Sequence, residues 1–311
     1  VGTAAATTVN AAATANLDLL SSGIDQAAGD SIVIGDTGNV TGNGFASGSA
    51  TAQATVGSAA ADGDVQVQGI DLTGDAATDI TINGSGNISG LAVIGTLANG
   101  TLGNQVTVTA ATTDGTTLAN GNFDGAGIVG FDSPTGVAGT GTVLTAGPSD
   151  GDISGQVIAG GSVVASNTGN ATTDTATATN TSEIFGLQNV DIIAGQFGTN
   201  LVKGTSLGDF DVTATSVGGD ATGTSTAEAF GIFDATNNGS ISVNGGISAI
   251  AQLSNTVTAT TVAGNAVATA SSDAVGLSGY SVSIIGSGSL NASANSDSRS
   301  LASSVVGNAG A

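Results

Sequence analysis

The chain has 311 residues, 51 of them glycine; apolar residues make up 40%, aromatics only 3%, and Cys, Met, Trp and His are absent. Lys203 and Arg299 are the only cations against 24 acids, a formal charge of −22, so the chain cannot neutralise a phosphate backbone or seek an anionic bilayer. Without His or Cys it also lacks the usual general base, thiolate nucleophile and transition-metal ligands.

Glycine costs roughly 1 kcal/mol per helical position, so this composition argues against helices and for narrow strands joined by many turns. Charged residues are only 8% and mean hydropathy is +0.30, unlike a disordered acidic chain. No apolar run reaches the roughly 18 residues of a membrane span, so membrane insertion is not expected. The chain opens at Val1 without Met, as a processed, exported product or a cut within a longer chain would. The acidic, Lys-poor, Asn/Thr/Gly-rich composition reads as extracellular or cell-surface.

Residues 1–22 read as a partial repeat or N-terminal joining strand. A Gly-Ile/Leu step then recurs at Gly23, Gly69, Gly127, Gly186, Gly231 and Gly276, at intervals of 46, 58, 59, 45 and 45. It divides a single repetitive β domain into repeats 23–68, 69–126, 127–185, 186–230, 231–275 and 276–311. Each marker is followed by alternating apolar runs broken by glycine: "SIVIGDTGNVTG" (31–42), "DITINGSGNISG" (79–90), "SISVNGGISAIA" (240–251) and "SVSIIGSGSLNASA" (281–294). Period-two alternation puts Ile, Val and Ala on one strand face and Ser, Thr and Asn on the other. The longer intervals place insertions within Asp75–Asn122 and Asp132–Asp150, the latter holding Pro134 and Pro148. A third signature is "SVGGDATGT" (216–224), "TVAGNAVAT" (261–269) and "SVVGNAGA" (304–311), giving about three strands per repeat.

The strongest match is "TSEIFGL" (181–187), "TAEAFGI" (226–232) and "SSDAVGL" (271–277), which takes in both glutamates of the chain. A unit of about 45 residues cannot bury its apolar side alone, so neighbouring units must stack on it. The expected fold is therefore all-β, a repetitive β-solenoid of about 45-residue repeats. The alternative reads "VNGG" (243–246) and "INGSG" (82–86) as hairpin turns of an antiparallel β-sandwich with donor-strand exchange.

The start "VGTAAA" (1–6) and the end "VGNAGA" (306–311) both resemble the third signature, and neither carries a proline, lysine or amphipathic cap. The expectation is that the ends share one phase and pair head-to-tail between identical subunits, with Val1, Val9, Leu17, Leu19, Val305 and Val306 at the joint.

Runs such as "TVTATTVAGNAVATASSDAVGL" (256–277) make the chain resemble the bacterial β-strand-repeat surface proteins, grouped with filamentous-haemagglutinin-like and autotransporter-passenger-like β-solenoids. The resemblance is compositional; it implies secretion and display as an adhesin, matrix or filament component.

Chemistry is sparse. "GTNLVKGT" (198–205) lacks the lysine-Ser/Thr pair of a phosphate loop. Calcium is the one ligand that fits: Glu183, Glu228 and Asp273 recur three residues before the marker glycine, and Asp124 stands there in an earlier repeat. The bland alternative is a solvated acidic ladder. No cofactor is otherwise called for and no enzyme activity is expected. The reading is a structural subunit of a secreted, self-assembling extracellular filament or surface layer, a homopolymer of identical subunits. The alternative is a surface adhesin or carbohydrate-binding stalk that meets glycans or other cells through an aromatic or acidic patch.

Overall fold

The computed structural model describes residues 1–26, 31–74, 78–98, 101–131, 141–147, 151–195 and 200–311. Pro134 and Pro148 lie outside them, as does most of the insertion at Asp132–Asp150.

The chain winds in successive circuits of strands. The first holds β1 (Gly2–Thr8), β2 (Ala13–Asp25) and β3 (Ile32–Ile34). The second holds β4 (Val40–Ala46), β5 (Gly48–Val56), β6 (Ala59–Leu72) and β7 (Ile80–Ile82). In the third, β8 (Ile88–Ile94) is followed by a small hairpin, β9 (Leu97–Ala98) and β10 (Thr101–Leu102), then β11 (Val106–Asp114), β12 (Thr117–Gly130) and β13 (Thr142–Ala146). The later circuits are plainer: β14 (Ile153–Asn167), β15 (Ala176–Gln188) and β16 (Val190–Ala194); β17 (Leu201–Ser216), β18 (Ala221–Phe233) and β19 (Gly239–Val243); β20 (Gly246–Ala263), β21 (Ala266–Ser278) and β22 (Tyr280–Ile284). Strands β23 (Leu290–Val306) and β24 (Ala309–Gly310) follow. No helix occurs among the described residues.

Three stacked sheets result. The first is β1-β5-β11-β14-β17-β20-β23, with β4 and β8 extending its early rungs beside β14; the second is β2-β6-β12-β15-β18-β21-β24; the third is β3-β7-β13-β16-β19-β22. Every rung is parallel, and among the described residues only the β9–β10 hairpin is antiparallel. The fold is all-β and β-solenoid-like. The antiparallel sandwich is thereby corrected: "VNGG" and "INGSG" carry the chain from the third sheet to the first, and the strands on either side lie in different sheets.

The marker residues stand in one column of the second sheet, where Ile24 pairs with Ile70, Ile70 with Ile128, Ile128 with Leu187, Leu187 with Ile232 and Ile232 with Leu277. Side chains alternate inward and outward along each strand, as in Ala176, Ala178 and Asn180 of β15. They build two separate cores. One, mostly alanine and valine with Phe123 and Phe210, lies between the later half of the first sheet and the early half of the second. The other, mostly isoleucine and leucine, is wrapped by the third sheet.

Between the cores the cross-section is pinched to a waist where two backbones touch. A Cβ added at Gly127 would lie 2.2 Å from the Gln156 nitrogen, and one at Gly186 2.3 Å from that of Thr205. From the other side, a Cβ at Gly155 would lie 2.0 Å from the carbonyl oxygen of Gly186. The recurring glycine is thus a steric requirement for close strand approach.

The corner from first to second sheet has its own device. At the end of four first-sheet strands a Thr, Asn or Ser, half-buried at Ser304 and buried at the others, donates to a corner carbonyl: Thr112 to Gly57 at 3.0 Å, Asn167 to Gly115, Thr261 to Gly219 at 2.7 Å and Ser304 to Gly264 at 2.8 Å. These bonds satisfy groups that the turn would otherwise bury unpaired.

One expectation about the ends is corrected. Gly307 sits at this corner with φ +137°, stacked on Gly264, whereas Gly2 pairs with Gly48 in the middle of the first sheet, so "VGTAAA" and "VGNAGA" are not in one phase. Strand β23 also differs from its neighbour in side chains, though not in backbone register. Its inward row holds Ser296, Ser298 and Ser300, where β20 has Leu253, Asn255 and Val257. The Ser300 hydroxyl accepts the Ala270 N–H at 3.0 Å, and the Ser296 hydroxyl lies 2.8 Å from that of Ser272.

Candidate functional site

At the waist the second sheet bends, and its outer surface becomes a re-entrant groove running along the stack. Alternation breaks there: Ile184, Phe185, Gly186 and Leu187 are all buried. Outward residues on both sides of the bend meet, forming a third apolar cluster of Ala126, Val129, Phe185 and Phe230 with Phe233 and Val275 packed against it. Phe185 and Phe230 are register partners whose rings stack at 5.2 Å and 8°. Phe233 leans on both, at 5.4 and 4.4 Å. Offset stacks of this kind add about 0.5–1.5 kcal/mol to the burial itself.

Beside this phenyl ladder runs the acidic file expected from the sequence. Glu183 pairs with Glu228 and Glu228 with Asp273. Asp124 stands one rung before Glu183, and its carboxylate accepts the Glu183 N–H at 3.0 Å and the Asn122 amide at 3.0 Å. Burial pushes the Asp124 carboxyl up, against the pull of those two hydrogen bonds. Burial also raises that of Glu183, helped by the charges of Asp124 and Glu228.

The calcium expectation for Glu183, Glu228 and Asp273 meets a geometric objection. Register places one carboxylate per rung, about 4.8 Å apart along the stack, instead of converging on a point. Among the described residues no group of three or more Asp or Glu is arranged to hold a metal ion.

The ladder of rings ends abruptly at Phe185. Its partner on β12 is Ala126, whose own partner on β6 is Gln68. A methyl group therefore stands where the next ring would be, leaving a cavity of about 180 Å³ lined by Gln66, Gln68, Asp124, Ala126, Glu183 and Phe185. Gln68 is 92% buried, its exposure being 8%. One end of its amide accepts the Ser22 hydroxyl at 3.1 Å, and the other opens to solvent at the cavity wall. The seven-residue match at 181–187, 226–232 and 271–277 sets Phe185, Phe230 and Val275 in one ladder, and the register pairs them so, whereas nothing in the sequence singles out Gln68.

A second, larger cavity of about 390 Å³ opens on the first sheet under the β9–β10 hairpin, between Leu102, Ile158, Leu207, Asp209, Gln252 and Asn295. Gln105 reaches across to Asp209 and Asp211. Of the residues expected at a subunit joint, Val1, Val9, Val305 and Val306 are exposed. Leu17 is buried and Leu19 packs against the first core; both lie where a side chain on Gly2 would stand, filling the end circuit from within. Residues 200–205 of the failed phosphate-loop stretch lead into and open β17, and 198–199 lie outside the described residues.

No protein-family model, curated protein or solved structure matches the chain.

Proposed function

We propose that the chain is a non-enzymatic repeat protein, with a unit of about 45 residues, that serves as a subunit of a secreted, self-assembling extracellular filament or surface layer. The observation that carries this reading is the direction of the backbone groups. Inward-facing residues turn their N–H toward the following circuit: Ala13 donates to Ser58, Ile247 to Ser289 and Ala266 to Asn308. By the same rule Ala294 and Ala302 of β23 point theirs away from β20, along the stack axis, where β23 has no further partner among the described residues. An edge of this length templates pairing. The occupant we assign is the opposite edge of a second copy, which makes the contact head-to-tail and open-ended.

The column containing Gly2 and Gly48 passes through Ser298 of β23, so β1 of the incoming copy meets the later half of that strand. The compositional resemblance to bacterial surface solenoids, the lack of His and Cys and the acidic exterior support secretion and a mechanical role.

Sedimentation velocity across a concentration series tests this reading. Wild type should grow into large species, and Ala294→Pro with Ala302→Pro, which removes two edge donors, should stay monomeric with an unchanged β circular-dichroism spectrum. Assembly undiminished in the double variant, or a wild type that remains monomeric, refutes axial edge pairing.

A further inference from the structure

The gap at the end of the phenyl ladder has the dimensions and donors of a ligand subsite. Rungs of a sheet repeat at about 4.8 Å, and the Phe185–Phe230 pair fills that spacing with two rings. On the other face of Phe185 two rungs separate it from Gln68, with only the Ala126 methyl between. One ring of about the thickness of a phenyl group fits there.

The walls decide which ring. The floor is an aromatic face, suited to an apolar C–H surface. On one edge stand Asp124 and Glu183, acceptors for adjacent hydroxyl groups. Gln66 continues that file on the rung before Asp124, and Gln68 faces Phe185 from the far end of the slot, so both amides can donate to hydroxyl oxygens of a ligand. With the two carboxylates in the wall and −22 on the chain, an anionic ligand is repelled.

We propose that this slot binds one neutral pyranose ring, stacked on Phe185 and held by hydroxyl contacts to Gln68, Asp124 and Glu183. The site thus recognises an uncharged sugar unit of a glycan, and it does not depend on axial assembly.

Two features fit that ligand. A pyranose presents a C–H face for stacking and hydroxyls at its rim, matching an aromatic floor with polar walls. Burial penalises the charged forms of Asp124 and Glu183 and raises both carboxyls, a penalty that hydrogen bonds from sugar hydroxyls offset.

Saturation-transfer NMR and calorimetry on the full chain test the proposal. The probes are the methyl glycosides of glucose, galactose, mannose and N-acetylglucosamine, with benzylamine as a flat cationic control. At least one glycoside should bind. Ala126→Phe, which extends the phenyl ladder into the slot, should abolish binding without lowering thermal stability. Gln68→Leu should weaken it about tenfold. Should Ala126→Phe fail to fold, Gln68→Leu and Phe185→Leu carry the test. The proposal is overturned if none of the four glycosides binds, if benzylamine alone binds, or if a folded slot variant binds as tightly as wild type.

Discussion

Gly127→Ala isolates the physical basis of the waist. The added methyl carbon would stand 2.2 Å from the Gln156 nitrogen, 2.6 Å from the Gly155 carbonyl carbon and 2.6 Å from the Gly186 oxygen, all of them backbone. Ordinary contact needs about 3.5 Å, so the two strands must part by roughly 1 Å. Neither is free to move, because β12 is laddered to β6 and β15 while β14 is laddered to β8, β11 and β17. Overpacking of this kind costs about 1–3 kcal/mol, and with backbone on both sides we expect the upper end. Gly276→Ala is the graded control. Its nearest neighbour is the Ser293 nitrogen at 2.9 Å, on the less constrained last circuit, so about 1 kcal/mol is expected. At Gly35 nothing lies within 4 Å, and alanine there should be neutral or stabilise by up to about 1 kcal/mol through the unfolded chain. Denaturant unfolding of the three variants, followed by circular dichroism, reads the order directly. Equal midpoints for Gly127→Ala and Gly35→Ala would refute the waist as the reason for the marker glycine.

Phe210→Ala should cost about 3–5 kcal/mol in the same assay, because the ring is fully buried and stacks on Phe123 at 6.1 Å. A double-mutant cycle with Phe123→Ala should show coupling of about 0.5–1.5 kcal/mol. Glu183→Gln tests the acidic file through pH. The carboxyl is raised in the folded state, so folding takes up protons and wild-type stability falls as pH climbs from the ordinary carboxylate range through the raised value. Glu183→Gln lacks that fall. Its melting temperature relative to wild type should therefore rise between about pH 4 and pH 7, and a flat difference would remove the electrostatic cost.

Strand content, inward–outward alternation and the column of marker residues were legible because each follows from local spacing. Ile82, Ile241 and Val243 alternate with polar neighbours, and alternation alone assigns their faces. The parallel arrangement was less so, since glycine pairs such as Gly245-Gly246 serve a hairpin and a solenoid corner equally well. Three features lay beyond local pattern. The waist requires knowing that Gly127 faces Gly155 and Gln156, residues far along the chain that meet only after a circuit closes. The phase of the ends is hidden because Val1-Gly2 and Val306-Gly307 look alike, yet one lies within a sheet and the other at a corner with φ +137°. The slot arises from a mismatch between rungs, Ala126 beside Phe185, and is visible only once register is known.

The same register underlies the proposed assembly, since one copy's β23 must serve another copy's β1 as β20 serves β23. Fibre diffraction from aligned, purified protein tests this most directly. Strands perpendicular to the growth axis should give a reflection at about 4.8 Å along the fibre. A preparation that yields no filaments, or filaments whose 4.8 Å reflection lies across the axis, would contradict axial stacking.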